Sequence, residues 1–164
     1  MPQKVDLDQL CVHLRTLPQG SLVGIEGFMG SGKTHLSDAL GTALGWHVVH
    51  TDEFVARKDT GEPYVQVLDL QRLKQHISTA VMAGSTLVDG ICLGEVLARI
   101  AISVDTTVYV RRMAANGLWH DGLHLDDFKT DPSSVASEPG ISDFQYHLRE
   151  RPQERAWFEF HRVD

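Results

Sequence analysis

The sequence predicts an α/β fold in which a central parallel sheet of about five strands has helices on both faces. Short apolar segments alternate along the chain with segments of helical periodicity. This alternation is typical of right-handed βαβ units, which build a parallel sheet. The length of 164 residues suits one domain with a single sizeable core. The first four strand candidates each end at glycine, acidic or basic residues, and in a parallel sheet such ends meet at one edge.

The elements can be assigned in chain order. A helix is predicted within residues 1–18, because leucines recur at helical spacing before Pro18. Residues 113–142 are rich in Gly, Pro, Asp and Ser and show little periodicity, so they are predicted to form a surface loop, or a lid if the protein is an enzyme. The whole chain, 1–164, is interpreted as one domain. Strands are predicted at 21–26, 46–50, 85–88, 106–110 and 157–160, and further helices at 32–44, 69–83 and 94–100.

Composition and charge disfavour several classes of protein. The net charge is −7, which argues against general binding to nucleic acid, since such proteins usually carry a basic face. No segment approaches the roughly 20 apolar residues of a membrane-spanning helix, and the first residues do not resemble a secretory signal. Cys11 and Cys92 lie in apolar surroundings without CxxC spacing. They are interpreted as reduced core thiols, so a cytoplasmic protein is expected.

Residues 27–34, Gly-Phe-Met-Gly-Ser-Gly-Lys-Thr, satisfy the pattern G-x-x-x-x-G-K-[ST] and are called the phosphate loop below. Glycines let successive backbone N–H groups point at phosphate oxygens, and the following helix adds its positive N-terminal end. Lys33 would contact the β- and γ-phosphates, and the Thr34 hydroxyl would bind Mg²⁺. The loop therefore predicts a three-layer P-loop NTPase fold that binds ATP and Mg²⁺. The predicted nucleotide contacts are Gly27, Gly30, Ser31, Gly32, Lys33, Thr34 and His35.

Two alternatives to this interpretation of the loop were weighed. A chance glycine-rich turn is disfavoured, because the motif lies between an apolar strand and a helix. A dinucleotide-binding fingerprint would require glycine at position 35, where the chain has His35.

Acidic residues follow the second and third strand candidates. Asp52 is predicted to accept the proton of a substrate hydroxyl or to hold water on Mg²⁺, although an Asp after a strand also serves as a helix N-cap. Asp89 is predicted to reach Mg²⁺, although Asp-Gly is also a common turn pair. The predicted metal-associated residues are therefore Thr34, Asp52 and Asp89.

Basic and aromatic residues complete the predicted site. Arg111 and Arg112 follow the fourth strand candidate and would offset charge on the phosphoryl group in transfer, unless they are solvated surface charges. With Lys33 and Asp52 they form the predicted catalytic set. The predicted acceptor contacts are Asp52, Phe54, Arg57 and Tyr64.

These motifs resemble the uridine kinase-like branch of the P-loop kinases, which includes uridine, pantothenate and phosphoribulose kinases. Beside the phosphate loop, residues 51–54 (Thr-Asp-Glu-Phe) and 87–91 (Leu-Val-Asp-Gly-Ile) are similar to two segments of that family. The resemblance implies a phosphate-binding loop, a catalytic acid at Asp52 and a magnesium-associated acid at Asp89.

The sequence thus predicts an ATP-dependent kinase that phosphorylates a hydroxyl of a small molecule. One alternative is a regulatory or partner-binding module that binds ATP with little transfer. Another is a nucleoside monophosphate kinase, which would need an arginine cluster between the second and third strands, where only Arg57 and Arg72 are available. The expected partners are a nucleoside triphosphate and a small acceptor, without nucleic acid or membrane, and a homodimer is an open alternative to a monomer.

Overall fold

A computed structural model describes residues 1–163, which form one six-stranded sheet in which every pair of neighbouring strands is parallel. The order of the strands across the sheet is β1-β6-β5-β2-β4-β3. The first strand in sequence therefore lies at one edge and the third at the other. The strands are β1 (Gln3–Val5), β2 (Leu22–Glu26), β3 (His47–His50), β4 (Thr86–Asp89), β5 (Thr106–Met113) and β6 (Phe158–Val163).

Helices connect the strands and cover both faces of the sheet. Two separate groups of buried apolar residues line the sheet, one including Leu10 of the first helix and Leu40 of the second, the other including Leu73 and Val96 of two later helices. The helices are α1 (Leu7–Arg15), α2 (Lys33–Leu44), α3 (Tyr64–Val67), α4 (Leu70–Ala83), α5 (Leu93–Arg99), α6 (His120–Thr130), α7 (Gly140–Glu150) and α8 (Pro152–Arg155), with 3₁₀ turns at Thr51–Phe54 and Pro132–Ser134.

The predicted α/β class and its parallel sheet are confirmed, but the sheet has six strands rather than about five. The unpredicted strand is β1, whose backbone aligns with β6 from Gln3 opposite Phe158 to Val5 opposite Phe160. Three residues, of which only Val5 is buried, are too few to show a period of two. Pairing with the far end of the chain is what makes this segment a strand.

The prediction of a loop at 113–142 is wrong in part, because this segment contains helix α6 and a 3₁₀ turn. Helix α6 buries Asp121, Leu125 and Phe128, which lie at the i, i+4, i+7 spacing of one helical face. The ring of Phe128 packs 5.3 Å from that of Phe144 on α7. A polar residue occupies one of the three buried positions, which weakens the apolar periodicity in the sequence.

The carboxyl ends of the central strands meet at one edge of the sheet. Ile25 of β2 and His50 of β3 both lie opposite Asp89 of β4, and Glu26 lies opposite Tyr109 of β5. The segments that follow β2, β3, β4 and β5 therefore emerge side by side, as expected for a ligand site in an open parallel sheet. In the part of the chain that the structure describes, no helix has the length and apolar character needed to cross a membrane.

Candidate active site

The phosphate loop joins β2 to α2 through glycines whose backbone an L-residue rarely adopts. Gly27 has φ 152°, Gly30 has φ 78°, and Gly32, the N-cap of α2, has φ 100°. A Cβ on Gly27 would lie 2.7 Å from both the Ser31 Oγ and the Val110 carbonyl oxygen. These positions require glycine for conformation, and at Gly27 also for space.

The side chain of Lys33 is folded back along the loop. It is 7% exposed, and its Nζ donates a hydrogen bond to the Phe28 carbonyl oxygen at 2.7 Å. Burial lowers the pKa of Lys33, and the nearby carboxylates of Asp143 and Asp52 only partly oppose that effect. The loop therefore holds a desolvated ammonium group beside its own backbone.

A cavity of about 470 Å³ lies over this loop and is called the phosphate-loop cavity below. Five of the predicted nucleotide contacts line it, whereas Gly27 and Ser31 lie beneath and shape the loop. The hydroxyl of Ser31 is fully buried and has no hydrogen-bond partner in residues 1–163. The lining residues are Met29, Gly30, Gly32, Lys33, Thr34, His35, Asp38, Asp52, Ile91 and Arg162.

A second cavity of about 310 Å³ adjoins the first and is called the adjacent cavity below. Met29, Asp52 and Ile91 line both cavities, so they stand at the junction. Apolar side chains form one part of the adjacent wall and charged side chains of the segment after β3 form another. The other lining residues are Val55, Arg57, Lys58, Asp59, Thr60, Gly61, Glu62, Tyr64, Val67, Glu138 and Pro139.

Asp52, which is exposed at this junction, is held by a hydrogen bond from Tyr64. The Tyr64 hydroxyl donates to Oδ1 of Asp52 at 2.5 Å and lies 2.9 Å from the buried Thr51 hydroxyl. Burial raises the pKa of Tyr64, and the Asp52 carboxylate raises it further, so the phenol remains a donor. One carboxylate oxygen of Asp52 is thus fixed by protein.

Two of the predicted acceptor contacts, Phe54 and Arg57, contact other parts of the protein instead of standing free in a cavity. Phe54 is 3% exposed, belongs to the core beside α4 and lines neither cavity. Its ring is a packing surface rather than a stacking surface for a ligand. Arg57 lines the adjacent cavity, but its Nη1 lies 2.9 Å from Oε2 of Glu62 and its Nη2 donates to the Gln66 carbonyl oxygen at 2.8 Å.

The position of Thr51, and through it of Tyr64, depends on Gly90. A Cβ on Gly90 would lie 1.8 Å from Oγ1 of Thr51, which is fully buried. We therefore expect Gly90→Ala to lower the free energy of unfolding by about 1–3 kcal/mol, as overpacking does. Gly84→Ala is the matched control, because its Cβ would meet only the His47 ring at 3.7 Å. Urea unfolding measures both; equal stability of the two variants would contradict this close contact.

Asp89 ends β4 and is 3% exposed beneath the phosphate loop. His50 bridges two carboxylates there, with its Nδ1 2.7 Å from Oδ2 of Asp89 and its Nε2 3.2 Å from Oδ1 of Asp38. Burial raises the pKa of Asp89. Burial alone would lower the pKa of His50, but Asp89 and Asp38 outweigh it and raise that pKa.

Oxygen ligands suited to Mg²⁺ lie at this edge of the sheet. Thr34 and Asp52 line the phosphate-loop cavity, and Asp89 is close enough to Lys33 to influence its pKa. Residues 1–163 contain no group of three or more His, Cys, Asp or Glu side chains arranged to hold a metal by themselves. This donor set fits Mg²⁺, which is usually held by one or two carboxylates together with substrate phosphates and water.

Asp143 on α7 contacts the phosphate loop, although the sequence did not indicate it. Its side chain is 1% exposed, and its Oδ2 accepts the backbone N–H of Met29 at 2.7 Å. His147, one turn later, stacks on the Phe28 ring with centroids 3.5 Å apart. The amphipathic spacing of α7 was the available signal, but only the fold brings residue 143 to residue 29.

The arginine beside the phosphate loop is Arg162 rather than the predicted pair. Nε of Arg111 lies 2.7 Å from Oε2 of Glu159, its guanidinium lies 4.3 Å above the Trp119 ring, and neither Arg111 nor Arg112 lines either cavity. Arg162, opposite Arg112 in β6, lines the phosphate-loop cavity with Nη1 3.4 Å from the Gly30 carbonyl oxygen. An arginine 132 positions after Gly30, outside any motif, gives no signal in the sequence.

Comparison with known proteins places this geometry in context. No protein-family model matches the sequence, and no curated protein matches it. Among solved structures, the chain is similar to a protein described as a possible uridine kinase from Bacillus stearothermophilus, with 17% identity over 94% of this chain and 96% of that one and a TM-score of 0.59. The chain also matches shikimate kinase from Acinetobacter baumannii, with 16% identity over 93% of this chain and 86% of that one and a TM-score of 0.46. It matches thymidylate kinase from Ehrlichia chaffeensis with 15% identity over 88% of this chain and 90% of that one and a TM-score of 0.35. The first likeness shows that the chain shares the α/β fold of that protein.

Proposed function

We propose that this protein is an ATP-dependent phosphotransferase that moves the γ-phosphate to a hydroxyl of a small molecule. The observation that carries the proposal is the position of Asp52 at the junction of two cavities, one over the phosphate loop and one beside it. A donor and an acceptor bound in adjoining cavities would meet at this carboxylate. Such positioning supplies much of the catalysis in phosphoryl transfer.

The phosphate-loop cavity would bind the triphosphate through loop amides and Lys33. Thr34, Asp52 and Asp89 are the residues that would hold Mg²⁺, directly or through water. When bound, the ion neutralises charge on the phosphate oxygens. Arg162 lines the same cavity and adds positive charge near the loop, a role that the sequence predicted for Arg111 and Arg112.

Asp52 would orient the acceptor hydroxyl and accept its proton. Since Tyr64 donates to Oδ1, the other oxygen of Asp52 is the one available to the hydroxyl. The carboxylate is exposed at the junction, so it is accessible to the acceptor.

The adjacent cavity does not favour the nucleoside monophosphate kinase alternative. Its cationic side chains are Arg57 and Lys58, and both terminal nitrogens of Arg57 already contact protein acceptors, Nη1 the Glu62 carboxylate and Nη2 the Gln66 carbonyl. Arg72 lies over the Phe54 ring at 5.1 Å. An acceptor phosphate would therefore find no arginine cluster of the kind that binds phosphate bidentately.

Replacement of Asp52 tests the proposal. With ATP and Mg²⁺, we expect Asp52→Asn to lower acceptor-dependent ADP release by about 100-fold, because the variant cannot accept the hydroxyl proton. Calorimetry should show a much smaller effect on ATP affinity than on the rate, because the loop amides and Lys33 still bind the phosphates. Glu53→Gln removes a neighbouring exposed carboxylate that lines neither cavity and should retain activity.

The release of ADP is measured across a panel of alcohols and nucleosides. If Asp52→Asn releases ADP as fast as the unaltered protein with every productive acceptor, Asp52 is not the catalytic carboxylate. ATP binding without acceptor-dependent release for any compound would favour the regulatory alternative instead.

A further inference from the structure

We propose that the acceptor is an alcohol that also carries a protonated amine, an inference that rests on the phosphotransferase function proposed above. The charge of the adjacent cavity supports it. Four carboxylates line this cavity against two cations, which leaves a net charge of −2: Asp52, Asp59, Glu62 and Glu138 against Arg57 and Lys58. The substrate that complements such a wall has a positive group of its own.

The cation that would serve an anionic substrate best is already occupied. Arg57 forms an ion pair with Glu62 at 2.9 Å and also donates to the Gln66 carbonyl oxygen at 2.8 Å. A guanidinium group that already contacts two protein acceptors has fewer N–H donors left for bidentate binding of a carboxylate or phosphate. Arg57 and Glu62 therefore cancel each other as charges in the cavity wall.

The remaining charges are three carboxylates and Lys58. Asp52 accepts from the Tyr64 phenol, and Oε2 of Glu138 accepts the backbone N–H of Ser142 at 3.1 Å, so both are held by neutral donors. Asp59 is exposed and forms no ion pair within residues 1–163. Glu138 forms no ion pair within residues 1–163, whereas Lys33 lies near Asp52. Asp59 and Glu138 are therefore the carboxylates whose charge a ligand ammonium group would compensate.

The apolar lining and the volume of the adjacent cavity limit the size of the acceptor and indicate an apolar carbon skeleton. Met29, Val55, Val67, Ile91 and Pro139 form an apolar surface. A volume of about 310 Å³ is near the lower end for small-molecule sites. The acceptor is therefore a compact amino alcohol whose carbon skeleton contacts this surface while its hydroxyl reaches Asp52.

Matched sets of alcohols that differ in charge test this inference on the intact protein. Two such sets are glucosamine, glucose and glucuronate, and 3-aminopropanol, 1,3-propanediol and 3-hydroxypropanoate. With ATP and Mg²⁺, we expect the amine of a productive set to exceed its neutral counterpart in kcat/KM by about tenfold, and the carboxylate to be the poorest acceptor. Increasing salt should reduce the advantage of the amine, since screening weakens it.

A preference for the neutral or anionic member overturns the amine inference while the phosphotransferase function stands. If no amine supports ADP release or adds thermal stabilisation to the protein with a non-hydrolysable ATP analogue, the inference is also overturned. Absence of Asp52-dependent release with every class of alcohol removes the phosphotransferase proposal itself. The two failures are thus separate results.

Asp59→Asn tests the charge without a change of shape. Asp59 has φ 55°, a conformation that asparagine also tolerates. We expect the variant to raise KM for the preferred amine about fivefold and to raise KM for neutral alcohols by much less. Glu53→Gln, outside the cavity, should change neither. An equal change in KM for amines and neutral alcohols contradicts the role of the Asp59 charge.

Discussion

Replacing Lys33 by methionine is expected to reduce phosphoryl transfer by about a thousandfold or more, because the variant removes the one ammonium group held inside the phosphate loop. The side chain is 7% exposed, and its Nζ contacts the Phe28 carbonyl oxygen at 2.7 Å. Methionine keeps a stem of similar length without the charge. ADP release measures the rate, and titration calorimetry with ATP and excess Mg²⁺ measures the expected loss of affinity.

The same replacement is expected to leave stability unchanged or to raise it. Burial lowers the pKa of Lys33 below its ordinary value of 10.5, so the unfolded chain binds the proton more tightly than the folded protein does. The charged lysine therefore costs stability at neutral pH, and this cost disappears as pH rises through the lowered pKa towards 10.5. Methionine removes that cost at every pH, and the melting temperature reports the result.

Lys74→Met is the matched control, since Lys74 is exposed on α4 and lines neither cavity. We expect this variant to retain both activity and ATP affinity. A Lys33→Met protein that folds and binds ATP as tightly as the Lys74→Met protein would contradict the assignment of residues 27–34 as the phosphate-binding loop.

Local sequence patterns predicted the parts of the site that local geometry determines. The phosphate loop needs positive φ at Gly30 and Gly32, and only the glycine spacing carries that information. Asp52 lies just after β3 and Asp89 is the last residue of β4, and parallel strands bring such ends to one edge. Short-range pattern and sheet topology together were therefore enough to predict the placement of both carboxylates.

Long-range contacts decided what the sequence left out. Strand β1 exists because Gln3 aligns with Phe158, and Asp143 meets the loop across 114 positions. Phe54 differs in the opposite direction: it lies close to Asp52 and was predicted to contact the acceptor, but its ring belongs to the core. In each case the partner lies far away in sequence, where periodicity carries no signal.

Loss of the contact between Asp143 of α7 and the phosphate loop is expected to lower both stability and phosphoryl transfer. We expect Asp143→Leu to lower the free energy of unfolding by about 1–3 kcal/mol, because the N–H of Met29 loses its buried acceptor. We also expect transfer to fall by about 100-fold, since a displaced loop misplaces the phosphates relative to Asp52. Urea unfolding and ADP release measure the two quantities.

Asp143→Asn separates the hydrogen bond from the rest of the side chain. Its carbonyl oxygen can still accept from Met29, as Oδ2 of Asp143 does at 2.7 Å, so this variant should keep most of the stability and ATP affinity. If asparagine is as damaging as leucine, the charge of Asp143 rather than the hydrogen bond holds the loop. If leucine is harmless in both measurements, Asp143 does not position the loop. The outcome matters for the whole site, because Asp143, together with Phe144 and His147, is a side chain through which α7 reaches residues 28 and 29.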